Sequence, residues 1–107
     1  MTVNEYQRLA ARTMNTALTR NQTLCHSLFG MAGEMGEIHS IYQKVYQGHQ
    51  IKAEELQKKI GDLLWMVAEL CTVSEWSMED ICQMNIDKLK ARYPDGFTAE
   101  RSINRDE

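Results

Sequence analysis

The sequence predicts an all-α protein of four-helix bundle-like design. Apolar residues recur at intervals of three and four along four separate stretches. Only one proline, Pro94, stands among the 107 residues, so little interrupts a helical run. Runs of β-branched residues, which would favour strands, are few. A chain of this length makes one domain, residues 1–107, with a modest core. Seven Met and three Cys supply soft fillers for that core.

The first helix starts from Thr2-Val3-Asn4-Glu5, a capping box in which the Thr oxygen caps the start and the Glu reaches back. Val3, Tyr6, Leu9, Ala10, Met14, Ala17 and Leu18 then fall at helical spacing and predict a helix over about 3–18. Arg20, Asn21 and Gln22 read as a loop. A second helix, about 24–47, presents Leu24, Leu28, Met31, Met35, Ile38, Tyr42 and Val45 on one face. Gly30, Gly33 and Gly36 lie inside it, each costing about 1 kcal/mol against Ala. They imply either an interrupted helix or a backbone or ligand in close approach. Gly48 fits a left-handed stop.

The third helix, about 52–73, opens with Glu54 and Glu55 and carries a broad apolar stripe from Leu56 to Cys71, widened by Trp65 and Met66. Trp65 is expected to pack in the core or at a subunit interface. Ser77-Met78-Glu79-Asp80 caps a fourth helix, about 78–93, which must end at Pro94. Pro94-Asp95-Gly96 forms a turn. The polar tail, residues 95–107, is expected to stay poorly ordered unless a partner or ligand holds it.

A net charge of −3 argues against broad nucleic-acid binding. A nucleotide ligand remains compatible, because a bound divalent cation can invert the local charge. No apolar run approaches the roughly 20 residues of a membrane helix, and the N-terminus lacks a signal-peptide core. Cys25, Cys71 and Cys82 lack C-x-x-C spacing and predict three reduced thiols, as in the cytoplasm.

Three constellations can do chemistry. Glu34 and Glu37, three residues apart, project from one side of the second helix at the edge of its apolar face. Carboxylates crowded together repel unless a cation neutralises them, and hard oxygens suit Mg²⁺ or Mn²⁺. Asp62 stands in a strongly apolar stretch, where an unpaired carboxylate is costly, so it needs a cation or a donor. Lys58 and Lys59 could also serve it as structural partners. Asn85, Lys88 and Arg92 line one side of the fourth helix, and amide, ammonium and guanidinium together suit phosphate oxygens. Each pattern alone also fits a solvated charged face. His26, His39 and His49 are not spaced as a shared metal set.

Taken in order, G-M-A-G-E-M-G-E, V-Y-Q-G-H, I-G-D-L-L-W and N-I-D-K-L-K-A-R-Y-P-D-G-F resemble the MazG-like nucleotide pyrophosphohydrolases. The likeness is to their short single-domain members, often found in phages and prophages, and runs from about Tyr6 to Arg105. It implies the MazG-type all-α fold and cleavage of nucleoside triphosphates, often deoxy forms, to monophosphate and pyrophosphate. It also implies that Glu34, Glu37 and Asp62 act as the catalytic metal ligands for Mg²⁺, matching the ends of the E-x-x-E and E-x-x-D signature. Lys44, Asn85, Lys88 and Arg92 become phosphate-side contacts.

The third acidic position of the signature falls on Lys59. A cation there would repel Mg²⁺, or would replace a metal's charge and contact phosphate directly. Glu55, nearly two turns before Asp62, could supply a substitute ligand. The alternative is a degenerate homologue that binds nucleotide or a protein partner without turnover. A di-iron carboxylate bundle is disfavoured, because no Glu has a His three residues later. A purely structural helical domain leaves Glu34, Glu37 and Asp62 unexplained. The thin core and the apolar face around Trp65 and Met66 predict a homodimer or homotetramer.

Overall fold

A computed structural model describes residues 1–105. Five helices follow in order: α1 Val3–Ala11, α2 Arg20–Tyr46, α3 Ala53–Val73, α4 Met78–Arg92 and α5 Ala99–Ile103. No strand occurs among the described residues; Pro94 and Gly96 make an isolated bridge at the turn after α4.

α1 starts where the sequence places it, with Thr2 Oγ1 accepting from the Glu5 backbone N–H at 3.0 Å. It ends at Ala11, seven residues before the expected Leu18. Short polar side chains there satisfy backbone groups locally and compete with the helical pattern. Thr13 donates to the Ala10 carbonyl at 2.8 Å, and Asn15 Oδ1 accepts from the Ala17 N–H at 3.0 Å. The stretch expected as a loop is the start of α2. Thr19 and Gln22 form a reciprocal capping box, which extends α2 back to Arg20.

α2 is continuous through its glycines. At Gly30 a methyl group would meet Met66 Sδ at 2.2 Å, so this glycine admits a side chain from α3. A methyl at Gly33 or Gly36 meets nothing within 4 Å. α2 ends in a Schellman motif: His49 N–H bonds the Lys44 carbonyl, Gly48 N–H bonds the Val45 carbonyl, and Gly48 takes φ 93°. The same motif ends α3, with Trp76 bonded to Cys71 and Glu75 to Thr72. There the left-handed position is held by Glu75, at φ 62°.

α2 and α3 run antiparallel as a hairpin, for His26 meets Glu69, Gly30 meets Met66 and Glu37 meets Lys59. Met66, only 3% exposed, lies inside that hairpin. Glu69, 4% exposed, accepts from His26 Nδ1 at 2.6 Å. α1 crosses α3 and closes a small core of Ala68, Cys71 and Met78 with Val3, Tyr6, Ala10 and Val67. Gln7 fastens the α3–α4 turn, donating to the Trp76 carbonyl at 2.8 Å and accepting from the Met78 N–H at 2.7 Å.

Beyond Met78, α4 extends as an arm whose residues 79–91 are all exposed. The radius of gyration is 17.1 Å, against about 13 Å for a compact chain of this length. The apolar face expected around Trp65 and Met66 is not the open one. Met66 is buried, and the half-buried Trp65 donates its indole N–H to Thr13 Oγ1 at 2.8 Å. Open apolar surface lies instead on α4 (Ile81, Met84, Ile86) and on α2 (Leu28, Phe29, Tyr42).

The tail also differs from expectation. Thr98 caps α5, accepting from the Arg101 N–H at 3.2 Å, and the Tyr93 and Phe97 rings sit 5.3 Å apart. A hydrogen bond with Ser102 lowers the Tyr93 phenol, so the tail folds back on the end of α4. Asp106 and Glu107 lie outside the described residues.

Candidate functional site

The site grows from the register of the α2–α3 hairpin. Glu34 and Glu37 leave α2 on the side that faces α3, and Lys59 and Asp62 leave α3 toward them. Lys59 Nζ lies 2.6 Å from Glu37 Oε2 and 3.7 Å from Asp62 Oδ2. Lys58 does not serve Asp62; it pairs with Glu54 at 3.3 Å, one turn back.

The electrostatics follow from the crowding. Burial, then the charges of Glu37 and Asp62, hold the Glu34 carboxyl above its ordinary range. The hydrogen bond with Lys59 holds Glu37 below its range, and the same bond raises Lys59. Tyr6 of α1 reports the charge from the other side: burial and then Asp62 raise its phenol. Glu34 Oε2 is buried, and the Glu34 carboxyl shares a side-chain hydrogen bond with Glu37 that adds to its upward shift. Carboxyls crowded this closely share a proton or take a cation as their complement.

Beside Asp62 and Lys59 opens a cavity of about 680 Å³, lined also by Ile41, Lys44, Glu55, Lys58 and Gly61. Lys44 therefore lies beside Asp62 and Lys59 on one cavity. The α4 strip does not, within one chain. Lys88 and Arg92 line a different cavity, of about 620 Å³, with Thr98, Glu100, Arg101 and Arg105. Asn85 is exposed on the same arm.

The family model of the MazG nucleotide pyrophosphohydrolase domain matches residues 22–97. The chain belongs to this family. The match spans nearly all of α2 and the whole of α3 and α4, and includes Glu34, Glu37, Lys44, Lys59, Asp62, Asn85, Lys88 and Arg92. The Gene 37 protein of Mycobacterium phage L5 is 29% identical over 87 residues, covering 77% of this chain and 76% of that protein. No solved structure matches the chain.

In this MazG domain the carboxylates are gathered but not yet in ligating geometry. Among the described residues, no three His, Cys, Asp or Glu side chains stand ready to hold a metal ion. Lys59 has drawn Glu37 to itself. The donor set still fits a hard divalent cation: three carboxylates from two facing helices, crowded enough to raise Glu34. Sequence reasoning missed the effect of Asp62 on Tyr6, and it missed the pairing of buried Glu69 with His26. Neither pairing has a local motif; both depend on the crossing of helices distant in sequence. No helix is long and apolar enough to cross a membrane among the described residues.

Proposed function

We propose that this MazG domain is a divalent-metal-dependent nucleoside triphosphate pyrophosphohydrolase, converting (d)NTP to (d)NMP and pyrophosphate in the cytoplasm. The observation that supports it most is the gathering of Glu34, Glu37 and Asp62 in the α2–α3 groove, where crowding raises the Glu34 carboxyl. When bound there, Mg²⁺ or Mn²⁺ supplies charge for the polyphosphate and acidifies a water molecule. The three carboxylates hold and orient that ion. Lys44 and Lys59, on the adjoining cavity, are point charges for phosphate oxygens.

Asn85, Lys88 and Arg92 are assigned to the phosphate side as well, and their arm needs a second copy to bring it over a carboxylate groove. Homo-oligomerisation, as dimer or tetramer, also covers the open apolar residues, among them Met84 at 69% exposure and Phe29 at 75%. Light scattering at micromolar concentration should show the oligomer; a stable monomer would contradict it.

The test of activity is purified protein with Mg²⁺ and a panel of (d)NTPs, assayed for pyrophosphate release. Turnover of at least one nucleotide is expected. One observation favours a second reading, a degenerate homologue that binds nucleotide or a protein partner without turnover: the 2.6 Å contact of Lys59 with Glu37. Release absent from the wild type and present in Lys59→Glu would establish that reading instead.

A further inference from the structure

Lys59 does more than stand beside the carboxylates. Its ammonium bridges two helices, touching Glu37 on α2 and approaching Asp62 on α3, while its charge also reaches Glu34. A unit positive charge thus already occupies the space between groups that a divalent ion would need. The amine is placed in the groove by its contacts with Glu37 at 2.6 Å and Asp62 at 3.7 Å.

We propose that Lys59 is a tethered competitor for the divalent cation, neutralising the carboxylate cluster at rest and leaving Glu37 when the metal enters. The proposal rests on the reading of the cluster as a metal site. The geometry also gives the displaced amine a destination. Glu55 lies one turn before Lys59 on α3 and lines the same cavity as Lys44 and Lys58. A Glu four residues ahead of a Lys is the favourable order for a helical ion pair. The flexible four-carbon stem of Lys can exchange Glu37 for Glu55 without moving either backbone. Phosphate oxygens in that cavity are a second acceptor.

Two consequences follow. The resting cluster is not a bare acidic patch, so the fold tolerates three neighbouring carboxylates without an ion. The metal also binds more weakly than three carboxylates alone would allow, because it must displace a cation that stays nearby. At separations of several ångströms in a solvated groove, removing one such charge should tighten divalent binding about tenfold or more.

Mn²⁺ titration of the full chain without nucleotide, followed by electron paramagnetic resonance, tests this directly. Lys59→Gln and Lys59→Met should each bind Mn²⁺ about tenfold tighter than wild type. Circular dichroism confirms that both keep the wild-type helicity, and two chemically different replacements guard against a local packing artefact. Binding equal to or weaker than wild type in both variants overturns the competitor and leaves the metal site standing. No Mn²⁺ binding by wild type or by either folded variant overturns the metal site as well.

Discussion

The α2–α3 hairpin and the α4 arm carry the same kind of apolar repeat but meet opposite fates. In the hairpin, Met66 seats against Gly30, Ala68 and Cys71 are buried, and charged groups find defined partners. On α4 only Met78, at its first turn, is buried, and Ile81, Met84, Ile86 and Leu89 remain in water. A helical pattern states which residues want cover, and does not say what covers them. The inner face of the hairpin is closed by its own chain; its outer residues Leu28, Phe29 and Tyr42, like the arm, wait for another surface. This difference also separates the site into a carboxylate half that one chain assembles and a basic half that it presents elsewhere.

The largest expected effect strikes the hairpin's chemistry. Glu37→Gln should weaken metal-dependent nucleotide binding by about 100-fold or more, measured by calorimetry, with helicity unchanged. A collapse of helicity would mean that Glu37 serves the fold. Next comes packing. Gly30→Ala should cost about 1–3 kcal/mol in denaturant unfolding, because the new methyl meets Met66 Sδ at 2.2 Å in a buried setting. Gly36→Ala should gain about 1 kcal/mol, since nothing lies within 4 Å of its methyl in one chain. A loss at Gly36 would place a neighbouring copy against α2 and blur the contrast between hairpin and arm.

His26→Ala removes the partner of Glu69, whose side chain is 3% exposed, and should cost about 2 kcal/mol. Glu69→Gln, which can keep a hydrogen bond to the imidazole, should cost less. An effect as small as that at Gly36 belongs to the turn between α3 and α4. Glu75→Gly relieves a non-glycine residue at φ 62° and should raise stability by about 1 kcal/mol in thermal unfolding. No gain there would mean that Glu75 makes a compensating contact in the assembly.

Much of the fold is legible in the residues themselves. The caps at Thr2 and Ser77 and the stops at Gly48 and Pro94 are local signals, and the structure places helix ends beside each. The end of α1 is not, because Thr13 and Asn15 compete for backbone groups within a run whose apolar spacing continues to Leu18. The Thr19 cap is a local signal too, but the Arg20-Asn21-Gln22 composition masks it. At the site, spacing alone puts Glu34 and Glu37 on one side of α2. It cannot show that Asp62 and Lys59 face them, because that depends on hairpin register. Still less can it show that the Lys59 amine sits among the carboxylates, a matter of rotamer and charge in three dimensions.

The most direct test is a crystal structure grown with Mn²⁺ and read by anomalous scattering. A peak ligated by oxygens of Glu34, Glu37 and Asp62 at about 2.0–2.3 Å is expected, with the Lys59 amine withdrawn from Glu37. A groove without a peak, with the amine still on Glu37, would contradict it.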